Sequence, residues 1–135
     1  MRVVIDTNVF ISGIFFSGPP HQILRAWQKR KLEFILSPDI LEEYRRVAEI
    51  LRRKYPEVDI DSILEMLTIE AELTTVPSLD ENICTDPEDD KFIACALASK
   101  TKIIISGDKH LLQVNGYRGL KIISPRQFLN HYLKR

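Results

Sequence analysis

Five aspartates stand where an α/β chain places its chemistry. Asp6 follows directly on the apolar run Val3-Val4-Ile5, and Asp108 follows Ile103-Ile104-Ile105 after the short step Ser106-Gly107. In an open parallel sheet, ligands bind outside the carboxyl ends of the strands, so an acid just past a strand lies on the binding rim. Asp86, Asp89 and Asp90 fall at a helix N-terminus, which points to the same end. Carboxylates gathered without partners repel, and some must take up protons unless a cation joins them. An oxygen-only donor set favours Mg²⁺ or Mn²⁺ over zinc, and Mg²⁺ is commonly held by one or two carboxylates plus water and phosphate oxygens. Phosphodiester hydrolysis is the matching reaction.

Asp6 is the hardest of these to explain as structure alone. Acids are seldom buried unpaired, and its neighbours Thr7 and Asn8 offer hydrogen bonds but no charge. Asp86, Asp89 and Asp90 have an ordinary alternative, because helix caps and first turns favour aspartate through backbone donors and the helix dipole. A glutamate can be added by geometry. The segment from Pro38 carries Ile40, Leu41, Tyr44, Val47, Ala48 and Leu51 on one helical face. Glu42 points away from that face, whereas Glu43 sits on its flank, roughly 40° around from Val47, where it can lean towards Asp6. A solvated flank position is the competing reading.

The elements that must hold these residues are legible as Val- and Ile-rich runs alternating with helical periodicity, the pattern of an α/β fold with a parallel sheet. Strands are expected at Val3 to Ile5, Glu33 to Leu36, Leu73 to Val76, Lys102 to Ile105 and Lys121 to Ile123. Ser37-Pro38 and Ser124-Pro125 each set a serine cap before a proline at the first helical position, and Gln127 completes a capping box. Asp86-Pro87 marks a third helix start. The helix from Pro38 and the amphipathic stretch Asp59 to Glu70, separated by Pro56, are expected to form a helical arm.

The 135 residues, 44% of them hydrophobic, suit a single domain spanning 1–135. Lys plus Arg (19) balance Asp plus Glu (19), so any nucleic-acid site must be local. Local basic clusters exist at Lys29-Arg30-Lys31, Arg45-Arg46 and Arg52-Arg53-Lys54; they suit RNA phosphates and equally suit a solvated helix face. Cys84 and Cys95 form no CxxC pair and are read as reduced. The opening apolar run is too short for a signal peptide, and the expected location is the cytoplasm. The Gly13 to Gly18 segment has phosphate-loop spacing, but Pro19-Pro20 stand where Lys and Ser or Thr are needed, so it reads as a loop into a helix. His21, His110 and His131 are scattered and form no catalytic arrangement. Trp27, spaced with Ile23 and Leu24, is read as core.

Four blocks together resemble the PIN-domain nucleases, particularly the branch of toxin components in toxin–antitoxin pairs. Val3 to Phe10 resembles the first block, with Asp6 as its acid. Ser37 to Tyr44 resembles the second, with its acid at Glu43. Asp86 to Ala94 resembles the third, whose acid precedes an Ile-Ala by three and four residues and so falls on Asp90. Ile103 to Asp108 resembles the fourth, with Ser106 two before the last acid, Asp108. The resemblance spans nearly the whole chain and implies a three-layer α/β/α fold around a parallel five-stranded sheet. It further implies metal-dependent endonucleolytic cleavage of RNA, with Asp6, Asp90 and Asp108 holding Mg²⁺ or Mn²⁺ and water activated by the ion attacking the phosphorus in line. Glu43 then helps to hold that water or a second ion, while Thr7, Asn8, Ser106 and possible cap Asp86 form the surrounding shell. A homodimer and a cognate antitoxin partner follow from the resemblance alone. Two other readings stay open: a PIN-like module that binds RNA or protein without cutting, and a metal-dependent enzyme for small phosphate esters.

Overall fold

The computed structural model describes residues 1–77, 84 and 86–133. Its centre is β1 (Arg2–Ile5), whose last three residues are buried, as a strand covered on both faces requires. β1 pairs with β2 (Glu33–Leu36) on one side and β4 (Ile103–Ile105) on the other; β3 (Glu72–Leu73) and β5 (Lys121–Ile123) form the edges. All four pairings are parallel and the order is β3-β2-β1-β4-β5.

Among the described residues seven α-helices cover this sheet: α1 (Thr7–Phe15), α2 (Pro19–Gln28), α3 (Pro38–Arg52), α4 (Ile60–Glu70), α5 (Asp90–Ser99), α6 (Lys109–Leu112) and α7 (Pro125–Phe128). Parallel crossovers are right-handed, so the steps outward from β1 to β2 and β3 carry α1 to α4 to one face. The return from β3 to β4 carries α5 to the other, where it packs on β1, β2 and β4. The result is the expected three-layer α/β/α sandwich. Trp27 stacks on Phe34 inside it, with ring centroids 4.7 Å apart.

The caps read from sequence are formed. The Ser37 hydroxyl accepts the Ile40 N–H at 3.2 Å, and Ser124 with Gln127 closes a full capping box. The Gly13 to Gly18 segment is the end of α1 and its turn into α2. Gly13 lets the two helices approach closely, since a Cβ there would lie 2.8 Å from the Pro20 carbonyl oxygen. α3 and α4 do form a helical pair, joined by Arg52 to Asp61 at 2.6 Å and Arg45 to Thr68 at 2.8 Å, and both bury an apolar face.

Several boundaries differ from expectation. β1 starts one residue early, at Arg2, which stands opposite Glu33. β3 stops at Leu73 because its partner β2 ends at Leu36, where Ser37 turns the chain into α3; one further bond, Thr74 N–H to the Leu36 carbonyl at 2.8 Å, ends the pairing. β4 starts at Ile103, although the Lys102 carbonyl still accepts the Lys121 N–H at 2.8 Å. The helix marked by Pro87 opens as a 3₁₀ turn (Pro87–Asp89) and becomes α-helical only at Asp90. No helix among the described residues is long and apolar enough to cross a membrane.

Candidate metal and active site

The strand order reverses direction between β1 and β4, the topological switch point where open α/β sheets bind ligands. Ile5 stands opposite Ile105, so the next residues on the two strands are Asp6 and Ser106. Both are fixed through their backbones: the Asp6 N–H donates to the Ile105 carbonyl at 3.1 Å, and the Ser106 N–H to the Ile123 carbonyl at 2.9 Å.

Their side chains then interlock. One Asp6 oxygen caps α1 by accepting the Val9 N–H at 2.8 Å, and the other accepts the Ser106 hydroxyl. Ser106 Oγ in turn accepts the Asp108 N–H at 2.9 Å, so its own proton is directed to Asp6. Asp108 caps α6 through the His110 N–H at 2.8 Å. Asp6 is only 4% exposed, and among the described residues no cation pairs with Asp6, Asp89 or Asp108. Burial pushes the Asp6 carboxyl up to about 6; the Ser106 and Val9 hydrogen bonds oppose this, and the Asp108 and Glu43 charges add to it.

Glu43 is held differently. The Thr7 hydroxyl donates to one oxygen, Lys91 Nζ lies 2.7 Å from the other, and Arg46 stands 3.8 Å away. Burial favours its neutral form, but Lys91, Thr7 and Arg46 outweigh that and hold the carboxyl below its usual range. The next residue fixes the helix: the buried Tyr44 hydroxyl donates to the Ile5 carbonyl at 2.5 Å, and its ring stacks on Phe10 at 4.3 Å. Glu43 is thereby delivered to the end of β1, and Glu42 is exposed, as the helical phase predicts.

The acid-rich third segment divides its labour. Asp86 caps the 3₁₀ turn through the Glu88 N–H at 3.0 Å. Asp90 is buried and accepts the Cys84 N–H at 2.7 Å. Asp89 is the one that feels the charges of Asp108 and Asp6. Burial first, then Asp108 as like charge and hydrogen-bond partner, then Asp86 and Asp6, push its carboxyl up to about 6. Its Oδ2 is buried without a hydrogen-bond partner. The Cys84 thiol, pushed up to about 12 by burial and by Asp90, Asp89 and Asp108, is inert. Both cysteines are buried and free.

The site therefore gathers Asp6, Ser106, Asp108, Glu43, Thr7 and Asp89. Asn8 is exposed and makes no hydrogen bond to these acids among the described residues. The residues alone leave Asp89 level with Asp90, the four-block resemblance selects Asp90, and neither singles out Lys91, whose partner Glu43 is 48 residues away. The triple charge run Asp89-Asp90-Lys91 was the available signal. Beside the carboxylates lies a recess of about 280 Å³, lined by Asp39, Glu42, Glu43, Arg46, Glu88 and Lys91.

Among the described residues no three His, Cys, Asp or Glu side chains form a ready-made cage. Mg²⁺ does not require one, since it keeps several waters and uses few carboxylates. Oxygen-only donors, two carboxyls pushed up by burial and by neighbouring acids, and an orphaned Asp89 oxygen fit a hard divalent ion held largely through water.

A doubly wound sheet with uncompensated acids at its switch point defines an α/β/α protein equipped for hard-cation chemistry. Residues 2–110 match the family model described as PIN domain, and the chain belongs to the PIN-domain family. The family is generally one of nucleases and typically uses divalent metals. The chain is also similar to an uncharacterized protein of Methanocaldococcus jannaschii, 34% identical over 148 aligned positions that cover 99% of this chain and 93% of that one.

Proposed function

We propose that the chain is a divalent-metal-dependent endoribonuclease that hydrolyses RNA phosphodiester bonds at the β1/β4 switch point. The observation that carries this reading is the Asp6–Ser106–Asp108 assembly, with Asp6 and Ser106 buried, no cation paired to its acids among the described residues, and Asp89 under the like charge of Asp108. Asp6, Asp108 and the acids at 89 and 90 hold the ion, Mg²⁺ or Mn²⁺. When bound, it neutralises phosphate charge and lowers the pKa of water. Ser106 orients Asp6 and Thr7 orients Glu43. Glu43, kept charged by Lys91, accepts a proton or a water hydrogen bond at the reacting end of the recess. Arg46 and Lys91, on the wall of that recess, receive the phosphate backbone.

The test is cleavage of a labelled single-stranded RNA with Mg²⁺ or Mn²⁺, beside EDTA, Asp108→Asn and a small phosphate ester. Metal-dependent cutting that falls at least ~100-fold in Asp108→Asn supports the reading, a loss in the range expected when a metal-holding carboxylate goes. Cutting that survives EDTA overturns it. RNA bound and left intact with every cation points to a non-cleaving module, and hydrolysis confined to the ester points to a small phosphoesterase. Asp89→Asn and Asp90→Asn, titrated with Mn²⁺ in parallel, separate the ligand from its neighbour. The toxin role, an antitoxin partner and a homodimer extend the proposal on the four-block resemblance; growth arrest on expression, relieved by the product of an adjoining reading frame, tests the first two.

A further inference from the structure

Away from the carboxylates, α1 and α3 run side by side from the rim. Thr7 meets Glu43, Phe10 stacks on Tyr44, and at the far end Phe15 packs on Tyr55 with centroids 5.2 Å apart. There the packing does not close. Phe16 is 50% exposed, set edge-on to Tyr55 at 5.6 Å and an interplanar angle of 88°, and Lys54 Nζ lies 5.7 Å over the Tyr55 ring. Phe16 is not on a loose end, because its N–H caps α1 by donating to the Ser12 carbonyl at 3.0 Å. Arg53 and Lys54 are exposed and have no carboxylate partner among the described residues, whereas Arg52 of the same run is paired with Glu49 and Asp61.

We propose that Phe16 and Tyr55, flanked by Lys54, form a stacking platform for an unpaired nucleobase of the RNA, a few nucleotides along the strand from the cleaved bond. The proposal rests on the RNA reading above. An aromatic pair held at fixed angle beside unpaired cations is the device by which proteins grip single strands without reading sequence: the rings take the base and the cations take the backbone. The nine residues of α1, at about 1.5 Å each, set the platform ~14 Å from the Asp6 end. Arg46 in the middle of α3 and Arg53 and Lys54 just past its far end mark a backbone path between the two. A second copy of the chain is a poorer occupant, because a two-fold contact here sets Arg53 and Lys54 against their own copies.

Binding of oligouridylates of two lengths is measured by fluorescence anisotropy with the full chain in EDTA, and cleavage kinetics with Mn²⁺. Phe16→Ser is expected to weaken binding of the long oligonucleotide about tenfold and raise KM with kcat unchanged, in line with the stacking worth of one base. Phe16→Trp restores both, and a trinucleotide too short to reach the platform binds all three chains alike. Tyr55→Leu, which keeps the contact with Phe15, is expected to repeat the loss. Unchanged binding in Phe16→Ser and Tyr55→Leu overturns the platform and leaves the nuclease reading standing; so does a fall in kcat alone. Conversion of a dimer to a monomer by Phe16→Ser, seen by sedimentation without RNA, assigns the patch to self-association and overturns the proposal. A wild-type chain that neither binds nor cuts RNA overturns the nuclease reading and the platform together.

Discussion

Asp6 carries its charge at a cost that the folded protein alone does not offset. Its carboxyl moves from the ordinary 3.8 to about 6, a gap worth ~3 kcal/mol against the ionised form at neutral pH. Asp6→Asn removes that cost while an amide oxygen can still accept the Val9 N–H. The metal-free variant is therefore expected to unfold at equal or higher temperature than wild type at pH 7.5, by up to ~3 kcal/mol, and to lose the stabilisation that Mn²⁺ gives wild type. A thermal shift series with EDTA and Mn²⁺ decides it; a variant both less stable and still stabilised by Mn²⁺ contradicts the account. The same residue sets a pH dependence. Asp6 and Asp89 bind protons more tightly folded than unfolded, so between about 4 and 6 the folded chain holds the extra protons and stability in EDTA falls as pH rises through that window. Saturating Mn²⁺ flattens the slope. Glu43 has the opposite sign, being held low, so its contribution is lost only at lower pH. Lys91→Met releases it: the acid limb of the rate profile is expected to move to higher pH, read from kcat/KM between pH 5 and 8.

At the scale of elements, the site is a matter of four helices, α1, α3, α5 and α6, brought to the ends of β1 and β4, and α3 is the one that must be pinned. Tyr44 does this from the position after Glu43, bridging to the Ile5 carbonyl one residue before Asp6. Tyr44→Phe keeps the stack on Phe10 but leaves that carbonyl buried and unpaired, and is expected to cost ~1–3 kcal/mol in urea unfolding. Much of this level was readable in the chain. Ser37-Pro38, Ser124-Pro125 and the Val-Ile runs encode local preferences, and the helical phase of α3 separated Glu43 from Glu42. What was not readable depends on partners distant in sequence. β3 is short because β2 ends, not because Thr74 to Val76 lack strand character. Asp89 and Asp90 differ only through what surrounds them, Asp108 for one and the Cys84 N–H for the other. Lys91 looks like any surface lysine until α3 closes over it.

Across the whole molecule the formal charge is zero, yet among the described residues its distribution is uneven: acids without cations at the rim, paired acids and cations in the recess, and cations without carboxylates at the far end of α3. A neutral chain has no global field to draw RNA, so attraction must come from those few residues. If Arg46, Arg53 and Lys54 each meet a phosphate, counterion release from a single strand gives a slope of log KM against log salt of about +2, from ~0.7 per contact. Each of Arg53→Gln and Lys54→Gln should lower that slope by ~0.7 and leave the dependence on Mn²⁺ concentration unchanged, since neither touches the carboxylates. Cleavage rates measured between low and high KCl at fixed free Mn²⁺ provide the check. A flat salt response in wild type removes the phosphate path along α3, and a slope unaltered in both variants places that path on another face, with Lys29 and Lys31 at the end of α2 the next cations to replace.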